Sequence, residues 1–151
     1  MGFGLFPVLL IPFLFLLVAC QNSPSPPTTN SEAIEKTPEH KLLQRITDDV
    51  LVALATRTYS GLEPYLPLGG PPLTGRQAAR LLLGAQAELV VLDRWDAEKI
   101  RTSMTADRLS ATTKVNVTYR RSPNRPPRRR EFTFRFSRSS GQESWRLRLN
   151  N

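Results

Sequence analysis

The sequence has very little of the side chains that usually build metal and redox sites. It contains one cysteine, Cys20, and one histidine, His40. A single cysteine excludes an intramolecular disulfide, and this pair falls short of the ligand sets of usual metal sites. A Ser-His-Asp triad would have to use His40, which we expect to be a solvated residue in the first turn of a helix. The sequence therefore predicts no metal, no other cofactor and no catalytic residues.

Charged side chains are missing from the first twenty residues, so no lysine or arginine precedes the apolar run that they contain. This run covers residues 3–19 and includes Pro7 and Pro12. A membrane-spanning helix needs about 20 apolar residues, and two prolines weaken a helix this short. Signal peptides have shorter apolar regions that end at small residues and usually start with basic ones. The run alone is intermediate between a signal peptide and a membrane anchor.

The end of the run resembles the lipobox of bacterial lipoproteins, with the residues Leu17, Val18, Ala19 and Cys20. The resemblance implies a signal peptide over 1–19, a diacylglyceryl group on the sulfur of Cys20, cleavage just before that residue and acylation of the new amino group. Each buried acyl CH₂ contributes about 0.8 kcal/mol, so two or three chains hold a protein firmly on a membrane. The alternative is an uncleaved signal anchor in which Cys20 has no role.

The lipobox resemblance also implies a location in the cell envelope, on the exported side of a membrane. In lipoproteins of cells with two membranes, an aspartate after the lipidated cysteine favours retention at the inner membrane. Gln21 takes that place here, which favours the outer membrane. Residues 20–37 combine this cysteine with a segment rich in proline, serine and threonine that lacks aromatic residues. Such a segment buries too little apolar surface to fold, so we expect a disordered tether.

The positive charge lies almost entirely in the C-terminal third of the chain. Residues 21–107 hold 9 Lys/Arg and 11 Asp/Glu, whereas residues 108–151 hold 12 Lys/Arg and 2 Asp/Glu. The first part is therefore close to neutral, and the second carries a net charge of +10. Such asymmetry indicates an anionic partner, or alternatively a solvated basic face that aids solubility.

The spacing of apolar residues predicts two helices in the first half of the domain. A helix is expected over 39–59, after a capping threonine and a proline, with the apolar positions Leu43, Ile46, Val50 and Leu54. Thr74 and Gln77 form a capping-box pattern that begins a second helix, which Gly84 interrupts. Residues 87–92 fit either the end of that helix or a buried strand, because periodicity does not separate the two.

From residue 100 the apolar period changes to two, which indicates strands. We expect strands over 100–104, 109–120, 131–138 and 145–149, joined as an antiparallel meander with one apolar face. The residues expected on that face are Val115, Val117, Phe132, Phe134, Phe136, Trp145 and Leu147. Residues 121–130, RSPNRPPRRR, are expected to form a basic, proline-rich loop.

Helices followed by a meander predict an α+β domain over 38–151 whose helices cover the apolar face of an antiparallel sheet. The order is similar to that of the nuclear transport factor 2-like (cystatin-like) superfamily, and residues 141–147, GQESWRL, resemble the turn and tryptophan-containing strand that often end those domains. The resemblance implies a curved, cone-like sheet. Some members are enzymes with acids, tyrosine or histidine inside the cone, whereas the inward residues expected here form an apolar core.

The candidate binding residues are arginines, because planar guanidinium groups suit phosphate and carboxylate. They are Arg120, Arg121, Arg125, Arg128, Arg129 and Arg130 around the basic loop, and Arg135, Arg146 and Arg148 on the outward sheet face. Anionic lipid or lipopolysaccharide head groups, acidic wall polymers and another envelope protein are the candidate partners. Nucleic acid is less favoured, because the aromatic residues point inward and are not available for stacking.

The sequence thus predicts a membrane-anchored lipoprotein that is not an enzyme and binds an anionic partner or an envelope protein through a basic hairpin. One alternative is a carrier that holds a small hydrophobic ligand inside the cone. A less favoured alternative is an enzyme of the same fold.

Overall fold

The computed structural model describes residues 37–149. The predicted signal peptide, the predicted lipobox with Cys20, and most of the predicted linker lie outside these residues. The described part contains two α-helices, five strands and three short 3₁₀ segments. The helices are α1 (Pro38–Thr56) and α2 (Gly75–Leu83), and the strands are β1 (Val91–Trp95), β2 (Arg101–Met104), β3 (Ser110–Arg120), β4 (Arg128–Ser137) and β5 (Arg146–Leu147).

Helix α1 starts as predicted and ends earlier. The side chain of Thr37 accepts a hydrogen bond from the backbone N–H of His40 at 3.4 Å, and Pro38 occupies the first turn. The helix ends because Arg57 adopts the left-handed conformation, with a φ of 59°. A 3₁₀ segment over Tyr59–Tyr65 follows.

Helix α2 has the predicted capping box. The Oγ1 of Thr74 accepts from the backbone N–H of Gln77 at 3.3 Å, and the Oε1 of Gln77 accepts from the backbone N–H of Thr74 at 2.8 Å. The helix stops at Gly84, whose φ of 95° is a backbone conformation that side chains with a Cβ rarely adopt. After the 3₁₀ segment Ala87–Leu89, strand β1 begins at Val91, so the open choice for residues 87–92 is resolved as a short turn and then a strand.

The sheet is antiparallel and is organised around β3. Its strand order is β1-β3-β4-β5. Strands β1 and β2 share one edge of β3: β1 pairs with residues 117–120 and β2 with residues 111–114. Residues 110–119 of β3 pair with residues 128–137 of β4 over the whole length of that strand. The predicted α+β class, with helices packed on a curved antiparallel sheet, is confirmed.

The core lies between α1 and the concave face of the sheet. The residues predicted on the inward face are buried there, except for Phe132, which is half-buried. Two polar residues, Thr47 and Thr113, are also fully buried. Their Oγ1 atoms are 2.8 Å apart, and the hydroxyl of Thr47 donates to the carbonyl of Leu43 at 2.8 Å. None of the helices between residues 37 and 149 has the length and hydrophobicity needed to cross a bilayer.

Arg138 joins three segments that are distant in the sequence. Its Nη2 donates to the Oε1 of Glu39 at 2.7 Å, its Nε to the carbonyl of Arg108 at 2.9 Å, and its Nη1 to the carbonyl of Gly141 at 3.0 Å. The guanidinium carbon lies 4.4 Å from the ring centroid of Trp145, and the side chain is 7% exposed. One guanidinium therefore holds the start of α1 against the turns that follow β2 and β4.

We expect Arg138→Gln to lower the free energy of unfolding by about 3 kcal/mol, because Glu39 and two carbonyls would lose a largely buried charged donor. Urea unfolding followed by circular dichroism measures this change. Arg135→Gln is the matched control, since it removes an exposed arginine three residues earlier, in β4, and should change the free energy by less than about 0.5 kcal/mol. Equal losses for the two variants would contradict the role assigned to Arg138.

Candidate anion-binding surface

The basic hairpin differs from its prediction in where the loop ends. Strand β4 begins at Arg128, so the loop prediction is wrong for Arg128, Arg129 and Arg130. These three residues pair with Tyr119, Thr118 and Val117, respectively. The reason is the length of β3, which supplies strand partners for every residue after the last proline of the turn. The turn itself is limited to residues 121–127.

Because side chains alternate along a strand, β4 presents its arginines on both faces of the sheet. Arg128 and Arg130 share a face with the three phenylalanines of β4, and Arg129 and Arg135 lie on the opposite face. The row of β4 side chains on the phenylalanine face therefore changes in burial and charge along the strand, from the buried Phe136 to the half-buried Phe132 and then to exposed arginines. This basic extension of the apolar row was not predicted from the sequence.

Arg120, at the end of β3, is engaged by the fold. Its Nε and Nη2 donate to the carboxylate of Asp93 at 2.6–3.2 Å, and its Nη1 donates to the carbonyl of Pro123 at 2.9 Å. The side-chain hydrogen bond with Asp93 raises the pKa of Arg120. This residue therefore ties the bulge in β1 to the turn before β4, and most of its donors are already used.

Arg146 is the second predicted residue whose guanidinium serves the fold. Its Nη1 donates to the carbonyl of Pro64, in the 3₁₀ segment after α1. The residue is half-buried. The contact holds the short strand β5 against the helical layer, so Arg146 has less capacity for an external ligand than the exposed arginines.

The remaining predicted arginines are exposed, and none of them forms an ion pair with a carboxylate of residues 37–149. We call these seven residues the arginine surface: Arg121, Arg125, Arg128, Arg129, Arg130, Arg135 and Arg148. Glu131, the acidic residue of β4, is directed to Arg101 of β2 and to Lys114 of β3, whose Nζ is 3.6 Å from Glu131 Oε1. It therefore leaves the charge of its arginine neighbours uncompensated.

Two adjoining clefts lie beside the turn and share Gln86 and Arg121. The first, of about 510 Å³, is also lined by Arg125 and Arg128. The second, of about 440 Å³, combines Arg130 with the apolar residues Leu82, Leu83, Val90, Tyr119 and Phe132. A phosphate or carboxylate bound there would meet charged donors, whose hydrogen bonds are about twice as strong as neutral ones.

Apart from Arg120, the titratable groups whose pKa is displaced lie away from the basic hairpin and belong to local structure. The pKa of Asp107 is lowered by the hydroxyl of Thr105, and the pKa of Asp96 is lowered by Lys99. Burial and then Asp49 raise the pKa of Tyr65. Among residues 37–149, no group of three His, Cys, Asp or Glu side chains is placed to hold a metal ion.

Comparison of the chain with protein-family models, with curated proteins and with solved structures gives no match. The similarity to the nuclear transport factor 2-like superfamily stays a prediction, and the interpretation of the arginine surface rests on its geometry. Chemically, that geometry offers a set of exposed guanidinium groups, without carboxylate partners in the part of the chain that the structure describes, beside partly apolar clefts.

The structure predicts different effects for two substitutions with the same formal charge change. We expect Arg129→Gln to lower the salt concentration at which the protein elutes from a sulfonate cation exchanger, because Arg129 forms no ion pair with a carboxylate of residues 37–149. Arg120→Gln should change elution less, since Asp93 already offsets its charge, but should lower the urea midpoint by releasing the turn. The division into structural and available arginines would fail if both variants shifted elution equally and left the midpoint unchanged.

Proposed function

We propose that this protein is a bacterial lipoprotein, anchored in a membrane through Cys20, whose domain binds anionic groups of an envelope partner without catalysing a reaction. The observation that carries the proposal is the arginine surface, a group of exposed guanidinium groups with no acidic partner among the described residues. The lipobox residues Leu17, Val18 and Ala19 support the anchor by resemblance alone.

Electrostatics favours binding over mere solvation at this surface. Uncompensated like charges raise the energy of the folded state, and a bound anion relieves that repulsion. Arg128, Arg129 and Arg130 are consecutive on a paired strand, so their Cα positions are fixed before a ligand arrives. Less ordering is then needed on binding than for arginines in a flexible tail.

The proposed anchor would hold the arginine surface close to the membrane, where its partner would lie. A tethered domain meets groups on the same membrane at a high effective concentration, which the length of the tether sets. Modest affinity for carboxylates or phosphates would then suffice for occupancy. In a cell with two membranes, Gln21 favours the outer membrane as the place of attachment.

The alternative of a ligand inside the cone has less support. Trp145, Phe136 and Leu51 are among the largest fully buried side chains, and they fill the space between α1 and the sheet. The clefts that carry arginines lie at the rim of that core. Their lining suits an anionic ligand better than a purely hydrophobic one.

Processing at Cys20 is testable by intact mass. We expect the mature protein purified from a bacterial membrane to begin at Cys20 and to carry a diacylglyceryl group and an amide-linked acyl chain. Cys20→Ser should accumulate as the uncleaved precursor. A membrane-extracted wild-type chain that begins at Met1 with an unmodified thiol would rule out the anchor.

We expect replacement of Arg128, Arg129 and Arg130 by Ser to weaken binding to phosphatidylglycerol vesicles and to polyglutamate, and to flatten its dependence on salt. Co-sedimentation of the full chain in detergent measures polyglutamate binding, and flotation measures vesicle binding. The matched control removes three exposed cations from α1 and its cap, through Lys41→Gln, Arg45→Gln and Arg57→Gln. Equal effects of the two triple variants would indicate only a general response to net charge.

A further inference from the structure

Strand β4 has a long unpaired edge. One of its edges pairs with β3 throughout, whereas β5 covers the other edge only at Phe136 and Ser137. One further bond, from the backbone N–H of Arg148 to the carbonyl of Arg135 at 2.7 Å, extends this contact. Among the described residues, no strand pairs with this edge from Arg128 to Phe134.

The free hydrogen-bonding groups on this edge belong to alternate residues. Backbone groups of successive strand residues point to opposite edges. Since Arg135 bonds to β5 and Arg138 donates to the carbonyl of Leu109 on the β3 side, residues of odd number in β4 face the free edge. The free N–H and C=O groups are therefore those of Arg129, Glu131 and Thr133.

The surroundings of this edge have two different chemical characters. A cleft of about 250 Å³ borders it, and its lining combines Leu81, Leu82, Phe134 and Leu149 with Thr133, Arg135 and Arg148. Leu81 is 40% exposed, although it is a large apolar residue. On the opposite face of the sheet, the same edge carries Arg129, Arg135 and Arg148.

We propose that the partner of the arginine surface is an extended peptide in which acidic and apolar residues alternate, and that it adds a strand to the free edge of β4. This inference rests on the proposed function and names the chemistry of its partner. Main-chain bonds to Arg129, Glu131 and Thr133 would supply the pairing, as in other cases of strand addition. The apolar side chains would face Leu81, Leu82 and Phe134, and the acidic ones would face Arg129, Arg135 and Arg148 on the opposite face of the sheet.

Charge decides between this occupant and a second copy of the chain. Arg128, Arg129, Arg130 and Arg135 outweigh Glu131 in the strand, so pairing two β4 edges would bring net like charges together. An acidic strand meets the same groups with opposite charge. Binding to a lipid surface would use the arginines but would leave the backbone groups of this edge unused.

The experiment uses the full chain in detergent and a fluorescein-labelled peptide, Glu-Val-Glu-Val-Glu-Val-Glu, with blocked termini. We expect saturable binding by fluorescence anisotropy and protection of the amides of Arg129, Glu131 and Thr133 from hydrogen exchange. The same peptide with every backbone amide N-methylated retains its side chains and charges but loses its N–H donors. Its affinity should be at least about tenfold lower.

Thr133→Pro tests the same edge from the side of the protein. Proline at this position removes an N–H that faces outward and leaves the pairing with β3 in place, so the sheet should tolerate it. Thr133→Ser is the control. The variant should lose peptide affinity about tenfold and retain its binding to phosphatidylglycerol vesicles.

The outcomes separate this inference from the function on which it rests. If the N-methylated peptide binds as well as its parent and exchange at β4 is unchanged, strand addition is wrong, even where the arginine substitutions still weaken binding. If neither peptide, polyglutamate nor vesicles bind in a manner that depends on the arginines, the proposed function fails as well. The N-methylation comparison remains decisive if Thr133→Pro does not fold.

Discussion

The positions of α1 and of two turns relative to the sheet depend on the hydrogen bonds of the buried guanidinium group of Arg138. It reaches the first turn of α1 and the carbonyls of two separate turns, and it stacks on Trp145. These segments converge at the C-terminal end of β4, which is consequently enclosed by the fold. The N-terminal end of the same strand has pairing on one edge only. A single strand thus belongs to the core at one end and to the binding surface at the other.

Local chemistry made much of this fold predictable. The cap at Thr37, the box at Thr74 and the alternation of the strands each depend on residues a few positions apart, and each was expected from the sequence. The end of α1 at Arg57 and the start of β4 at Arg128 were misplaced. Both depend on tertiary context, because the first requires a left-handed arginine and the second requires the full length of β3 as a partner.

At the candidate site, too, the sequence alone does not predict which charged side chains are paired. Composition identified a basic C-terminal third, but it could not separate Arg120, which is bonded to Asp93, from Arg129, which has no acidic partner in the described part of the chain. It also gave no sign that Arg138 serves as an internal connector, since its partner Glu39 lies 99 residues away in the sequence. Which arginines are available to a ligand is decided by carboxylates and carbonyls, such as those of Asp93 and Pro64, that only folding brings near.

The hydrogen bond between the hydroxyls of Thr47 and Thr113 affects the position that α1 takes on the sheet. An interface made only of leucine, isoleucine and valine tolerates sliding, because apolar contacts are not directional. The hydroxyl of Thr47 donates to its own helix, so the proton between the two oxygens comes from Thr113. Displacing the helix by one residue would leave the buried hydroxyl of Thr113 without this partner, at roughly 1–3 kcal/mol, whereas Thr47 would keep its bond to Leu43. The Thr47–Thr113 hydrogen bond therefore selects one position of α1 along its axis among several that apolar side chains alone would allow.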